Sequence, residues 1–385
     1  MPGYAALLFA VACGAAVANI YYAQTLLDTL SHVFGMPSSA IGMVITITQI
    51  CYALGLVLLV PLGDLVSPRK LVAGHMLASV LALLAVGTAT TRVQLLLGLA
   101  AVGLLAVVTQ TLVAYAASWA AADQRGRVIG LVTSGIVIGI LLARTVAGLL
   151  TDLAGWRSVY LVSAAVMLLM AVMLLRIMPQ RRAEPAALSY RQLLQSMLLL
   201  WRQERILRVR AMLALLIFTA FSILWTSLVL PLSAAPLSLS HTAIGAFGMV
   251  GVTGALAAAR AGRWADRGLG QRTTGWALAL LLVSWPLIGS LHHSLLLVVL
   301  GIIALDLAVQ AVHVTNQSMI LSVRPEARSR LTAGYMVFYS IGSAGGSIAS
   351  TQIYAVYGWS GVCGLGASVS ALALLFWSWT RREPA

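Results

Sequence analysis

Of the 385 residues, 61% are apolar and 9% charged, against the roughly 25% charged residues of ordinary soluble domains. A water-soluble fold could not cover so much apolar surface, so the composition points to a chain whose solvent is lipid. The net charge of +14 does not mark a nucleic-acid binder, because no Lys or Arg precedes Arg69 and the later ones fall between apolar runs instead of along one stripe.

Long uncharged runs predict helices over 4–27, 40–62, 71–90, 94–118, 128–150 and 158–178, then over 211–234, 242–261, 273–290, 295–320, 331–354 and 361–380. Twelve such helices at about 20 residues each use roughly 240 residues and leave short connections. The first apolar run lacks the basic stretch of a secretory signal and is expected to stay as a helix. Cys13, Cys51 and Cys363 all fall inside apolar runs and read as small packing residues, with no disulfide framework or metal motif.

With both termini on the cytoplasmic side, the inner segments hold 21 of the 24 basic residues, including eight from Arg176 to Arg210. Only Arg92 and Arg157 fall outside, and Arg144 lies within a span. The positive-inside bias therefore predicts a multi-pass protein of the bacterial inner membrane with both ends inside.

The chain repeats itself. Asp123, Arg125 and Arg127 recur 203 residues later as Glu326, Arg328 and Arg330, and Gly155-Trp156 recurs at the same shift as Gly358-Trp359. Asp64 matches Asp266 at a shift of 202. The predicted fold is an all-α membrane protein of 12 transmembrane helices in two pseudo-symmetric six-helix bundles, residues 1–178 and 211–385. That arrangement suits a transporter with its substrate site at the bundle interface near the bilayer midplane. Residues 179–210 form a cytoplasmic linker. Ser189 and Gln192 predict a capping box there, followed by an amphipathic helix with Leu193, Leu194, Met197, Leu198 and Trp201 on one face.

The residues resemble the major facilitator superfamily over essentially the whole chain. Gly262-Arg263-Trp264-Ala265-Asp266-Arg267 is similar to that family's Gly-x-x-x-Asp-Arg loop, and Gly63-Asp64-Leu65-Val66-Ser67-Pro68-Arg69-Lys70 is a degraded copy of it. The resemblance implies that Asp266 and Arg267, with Asp64 and Arg69, form conformational-gate loops that lock the two halves in one orientation. Asn19-Ile20-Tyr21-Tyr22-Ala23-Gln24 and Gly139-Ile140-Leu141-Leu142-Ala143-Arg144 resemble a bacterial efflux subgroup, with Thr25 where that subgroup usually has Pro. The fourth helix lacks the internal Arg common in drug/proton antiporters of the family. The resemblance also implies that the fifth helix packs on the eighth and the second on the eleventh. Gly135 and Gly139, the Gly245, Gly248, Gly251 and Gly254 series, and Gly342, Gly345 and Gly346 then read as close-contact surfaces.

Ionisable groups inside a bilayer cost about 2.5 to 3.5 kcal/mol each on insertion scales and are functional candidates by default. Asp306 lies near the centre of the tenth helix, with Gln310, His313 and Gln317 at i+4, i+7 and i+11. This spacing draws one polar stripe along a helical face, which should turn away from lipid. Asp306 and His313 are the candidates for binding and releasing a coupling proton. A hydrogen-bonded network with no proton traffic would use the same residues. His313 corresponds at the 203 shift to Gln110 in the fourth helix.

Arg144 is a second intramembrane charge. It suits pairing with Asp306 or Asp28, a bidentate hold on an anionic substrate group, or a clamp on carbonyls. Asp28, at the outer end of the predicted first helix, reads as solvated. Asn19, Tyr22 and Gln24 in the first helix, Trp225 in the seventh, and Tyr335 and Tyr339 in the eleventh complete the candidate cavity lining. Aromatic walls with a few hydrogen-bonding groups suit a small organic solute.

The reading is a proton-coupled exporter that works by alternating access. Its partners are a small-molecule substrate, protons and the lipid bilayer, and it is expected to be a monomer without cofactor, metal or nucleic acid. Uptake by symport or facilitation is the nearest competitor. A membrane enzyme is disfavoured by the lack of an HExxH or Gly-Lys-Ser/Thr motif and of a nucleophile with a placed base. A receptor is disfavoured by the repeat combined with intramembrane charge.

Overall fold

The computed structural model describes residues 1–121, 124–179, 189–251, 269–324 and 327–381, apart from a few side chains. The described elements are helices. The first half contains α1 (Gly3–Phe34), α2 (Met43–Leu58), α3 (Pro68–Gly87), α4 (Arg92–Leu105), α5 (Val108–Trp119), α6 (Arg125–Ala154) and α7 (Trp156–Ile177). The linker helix is α8 (Tyr190–Gln203). The second half contains α9 (Arg205–Ser227), α10 (Val229–Ser233), α11 (His241–Val250), α12 (Gly270–Gly289), α13 (Leu295–Leu321) and α14 (Arg328–Thr380).

Ten candidate spans among the described residues are long and apolar enough to cross a bilayer. The last is two helices joined at Gly358, and α11 is a shorter apolar helix besides. This gives the twelve-helix fold that the apolar runs predict. Large apolar side chains such as Leu81, Leu97, Leu153 and Val356 stand exposed, as befits helices surrounded by hydrocarbon.

Local chemistry sets the helix ends. Pro68 opens α3 at the first turn, where its missing N–H would have no partner in any case. Thr91 accepts a hydrogen bond from the Gln94 N–H at 3.2 Å and starts α4, while the Gln94 side chain accepts from the Thr90 N–H. Ser294 caps α13 in the same way. The predicted capping box before α8 is present: Gln192 Oε1 accepts from the Ser189 N–H at 2.8 Å, and Ser189 Oγ accepts from the Gln192 N–H at 3.4 Å.

Gly155 ends α6 with φ 78° and ψ 162°, and Gly358 breaks α14 with φ 60° and ψ −157°. Both conformations belong almost exclusively to glycine. The sequence repeat therefore has a geometric counterpart: each half ends its fifth helix on one left-handed glycine followed by a buried Trp, Trp156 or Trp359.

The chain folds as two compact units. The first comprises Met1–Leu26, Ile47–Ser196 and Ser240–Gly245, and the second comprises Leu27–Thr46, Met197–Leu239 and Ala246–Ala385.

Within the first unit, α1 and α6 touch backbone to backbone. A Cβ on Gly135 would fall on the Ala10 carbonyl and one on Gly139 would fall on Gly14. These two glycines thus serve α1, and a different residue, Gly148, meets the His241 backbone at the start of α11. Asp152 also seats that start: its Oδ2 accepts from the Thr242 N–H at 2.7 Å, and its Oδ1 lies 2.9 Å from His241 Nδ1. Within the second unit, Gly342 and Gly346 pack on Leu215 and Thr219 of α9, while Gly42, just before α2, meets Ser347 of α14.

Other boundaries differ from expectation. α1 runs to Phe34, so Asp28 sits inside a helix, 3.7 Å from His32 one turn later, and not at its end. The predicted fourth span is two helices, α4 and α5, separated at residues 106 and 107.

Candidate functional site

Each unit holds a buried polar cluster. In the first, Arg144 is 3% exposed and donates from Nε (3.0 Å) and Nη2 (2.8 Å) to Gln24 Oε1. Its guanidinium lies 5.5 Å from the centre of the Tyr21 ring. The amide oxygen and the ring face each offer partial negative charge to a cation out of water. Beside them Asn19 Oδ1 accepts from Ser163 Oγ at 2.6 Å. Tyr22 hydrogen-bonds the same serine and meets Tyr160 edge-on at 6.4 Å. Gln110 is half-buried and hydrogen-bonds Tyr52. Asn19 and Tyr22 of α1 thus share Ser163 of α7, and Gln24 of the same helix pairs with Arg144 of α6.

In the second unit the stripe on α13 meets α9 and α14. Asp306, 5% exposed, accepts from the Trp225 indole N–H at 3.1 Å. One and a half to two turns later His313 Nδ1 lies 2.9 Å from the Tyr335 hydroxyl. Phe218 packs on His313 and on Tyr339, with ring centres 5.2 Å and 4.0 Å away. Gln310 and Gln317 are half-buried on the same face. Asp306, Trp225, Tyr335 and Tyr339, all buried, and the half-buried His313 therefore form an aromatic-polar wall.

Arg210 is a further candidate, one that the sequence groups with the linker's orientation charges. It is 1% exposed and sits inside the second unit. It donates to Thr274 Oγ1 at 3.1 Å and to Asn316 Oδ1 at 3.2 Å, and Asn316 Nδ2 returns a bond to the Arg210 carbonyl at 3.4 Å. The helix starts at Arg205, not at 211, and this puts Arg210 more than a turn inside. The signal for it in the sequence is Asn316, three residues after His313 on the polar side of α13.

Of the gate-loop residues, Arg69 donates to the Leu175 carbonyl at 2.7 Å near the end of α7. The Asp64 side chain, Asp266 and Arg267 lie outside the described residues.

A chain of apolar bilayer-length helices that buries a carboxylate and two guanidinium groups is a multi-pass membrane protein equipped to handle polar species. The chain belongs to the major facilitator superfamily, whose family model matches residues 6–260 and 210–385. It is 46% identical over 370 residues to the uncharacterized transporter YgaY of Escherichia coli O157:H7, covering 96% of this chain and 94% of that one. A protein of Streptomyces coelicolor named "Probable transporter SCO4007" is 31% identical over 382 residues, covering 98% and 87%. The fold matches the crystal structure of a bacterial homologue to the human lysosomal transporter Spinster, in an inward-facing and occupied conformation. The TM-score is 0.78 at 13% identity, covering 99% of this chain and 98% of that one. The protein is a membrane transporter of this superfamily.

Proposed function

We propose that this transporter exports a small organic solute in exchange for protons by alternating access, from the bacterial inner membrane with both termini cytoplasmic. The observation that carries the reading is the α13 face, where a buried carboxylate, Asp306, and an imidazole, His313, both meet aromatic hydrogen-bonding partners. A carboxyl and an imidazole are the side chains best suited to exchanging protons near neutral pH. Arg144 with Gln24, Asn19 and Tyr22 supplies the polar surface for the solute, and the aromatic rings supply its apolar wall. The first-helix resemblance to an efflux subgroup favours export, and the basic residues collected between spans favour the inside orientation. In this reading residues 1–178 and 211–385 are the moving halves, and Asp64, Arg69, Asp266 and Arg267 hold the inner ends.

The test begins by comparing solutes released by cells with and without the protein, which identifies the substrate. Everted membrane vesicles made acid inside should then accumulate that solute, and Asp306→Asn should abolish accumulation while leaving downhill exchange. Mere equilibration that is indifferent to the pH gradient, or accumulation that requires the opposite gradient, would replace the reading with facilitation or symport.

A further inference from the structure

We propose that Arg210 acts through Asn316 and Tyr335 to decide which nitrogen of His313 carries its proton, and thereby how readily His313 takes a second one. The inference rests on the reading of His313 as a proton-exchanging group, and it makes Arg210 a positioning residue at the far end of a hydrogen-bonded chain.

The direction of that chain follows from what each atom can do. A guanidinium N–H only donates and a backbone carbonyl only accepts. Asn316, which is fully buried, lies between both groups of Arg210, with Oδ1 3.2 Å from Nη1 and Nδ2 3.4 Å from the carbonyl. The amide therefore has one possible orientation. Arg210 is itself fixed by Thr274, whose hydroxyl accepts from Nη1 at 3.1 Å and donates to the Gly270 carbonyl at 2.8 Å.

Asn316 also hydrogen-bonds the buried Tyr335 hydroxyl. With one amide N–H on the Arg210 carbonyl, the other enters the Tyr335 oxygen. The single hydroxyl proton is then aimed at His313 Nδ1, 2.9 Å away. Nδ1 becomes an acceptor and the imidazole proton resides on Nε2. A second proton on Nδ1 would meet the Tyr335 O–H head-on. The hydroxyl would have to turn away and leave its proton without an acceptor in a buried site, which opposes protonation. Arg210 cannot reverse the chain because it has no acceptor to offer.

The groups that described neighbours turn toward His313 leave this logic intact. α14 presents Tyr335 and, with ring centres 6.3 Å apart, Tyr339; α9 presents Phe218 edge-on and Arg210 by way of Asn316. Asp306 stands seven residues earlier on the same helix, in its bond with Trp225.

The test is nitrogen-15 solid-state NMR of histidine-labelled full-length protein in lipid bilayers, with the His313 signal identified by its loss in His313→Gln. Wild type should show the neutral Nε2–H form with Nδ1 as acceptor. Arg210→Lys, still a donor only, should keep it. Arg210→Gln, which can donate or accept, leaves the 3.4 Å bond to the residue-210 carbonyl alone to orient the Asn316 amide, so an Nδ1–H fraction should appear and the second proton should bind about tenfold more readily, a shift of about one pH unit. Asn316→Asp, an independent variant should Arg210→Gln not fold, draws the Tyr335 proton to its carboxylate and should switch His313 to the Nδ1–H form. A wild-type Nδ1–H form, or a tautomer unchanged by a folded Arg210→Gln, or, where that variant does not fold, a tautomer unchanged by Asn316→Asp, overturns the inference. Because the spectra need no transport, a pinned tautomer with pH-independent flux would refute the coupling reading alone.

Discussion

Trp225 gives its indole N–H to Asp306 across 3.1 Å, joining α9 to the middle of α13 with both side chains at least 95% buried. Trp225→Phe keeps the ring but removes the donor from a buried carboxyl group. A buried hydrogen bond contributes about 0.5–1.5 kcal/mol, so thermal unfolding in detergent should show a loss of that order. Asp306→Asn retains an acceptor for the indole and should stay close to wild-type stability while losing gradient-driven transport. The pair of variants separates folding from proton coupling.

Gly155 and Gly358 should each reject a side chain for conformational reasons alone. No heavy atom lies within 4 Å of a Cβ built on either glycine, so a methyl group meets no neighbour. Alanine would nonetheless have to occupy φ 78° or 60°, at a cost of about 1–3 kcal/mol. Gly155→Ala and Gly358→Ala should therefore lower the melting temperature to similar extents, as read by size-exclusion chromatography of heated samples.

Gly135 presents the opposite case, a helical glycine with no space beside it. Gly135→Leu drives a side chain into the Ala10 backbone and should separate α1 from α6, costing about 1–3 kcal/mol or more. Gly130 lies on the same helix with nothing within 4 Å of a built Cβ. Gly130→Ala should be neutral or stabilising by up to about 1 kcal/mol, since alanine is the better helix former. Equal losses from the two substitutions would contradict the packing described for α1 and α6.

Asp152 accepts from two backbone N–H groups at the start of α11 as well as from the His241 ring. Removing a capping acceptor costs typically about 1 kcal/mol, whereas a half-exposed imidazole contact contributes little. Asp152→Ala should thus destabilise more than His241→Phe in the same thermal assay, and Asp152→Asn, which keeps acceptor oxygen, should lie between them.

The fold was legible because its signals are local and repeated. Runs without charge mark helices, Ser189 and Gln192 mark a cap, and Gly155-Trp156 with Gly358-Trp359 mark equivalent corners. Intramembrane polarity singled out Arg144 and Asp306, but not the partners the structure gives them, Gln24 and Trp225. What stayed hidden depended on tertiary placement. Arg210 borders charged linker residues in sequence, and only the seating of α9 against Thr274 and Asn316 shows that it is interior. Gly135 and Gly139 carry a small-residue spacing that permits several neighbours, and packing selects α1. Asp28 looked terminal because apolarity fades there, yet hydrogen bonding carries the helix on to Phe34.

The break at Gly358 leaves two long helices meeting through a single residue, with no intervening loop. Such a corner has no slack. An epitope tag or protease site inserted there would have to unwind a turn on one side or the other, whereas the segment around residues 290–294, already a short turn between α12 and α13, can lengthen without disturbing either helix. Labels meant to report which side of the membrane a segment occupies belong in that turn and not at the joint.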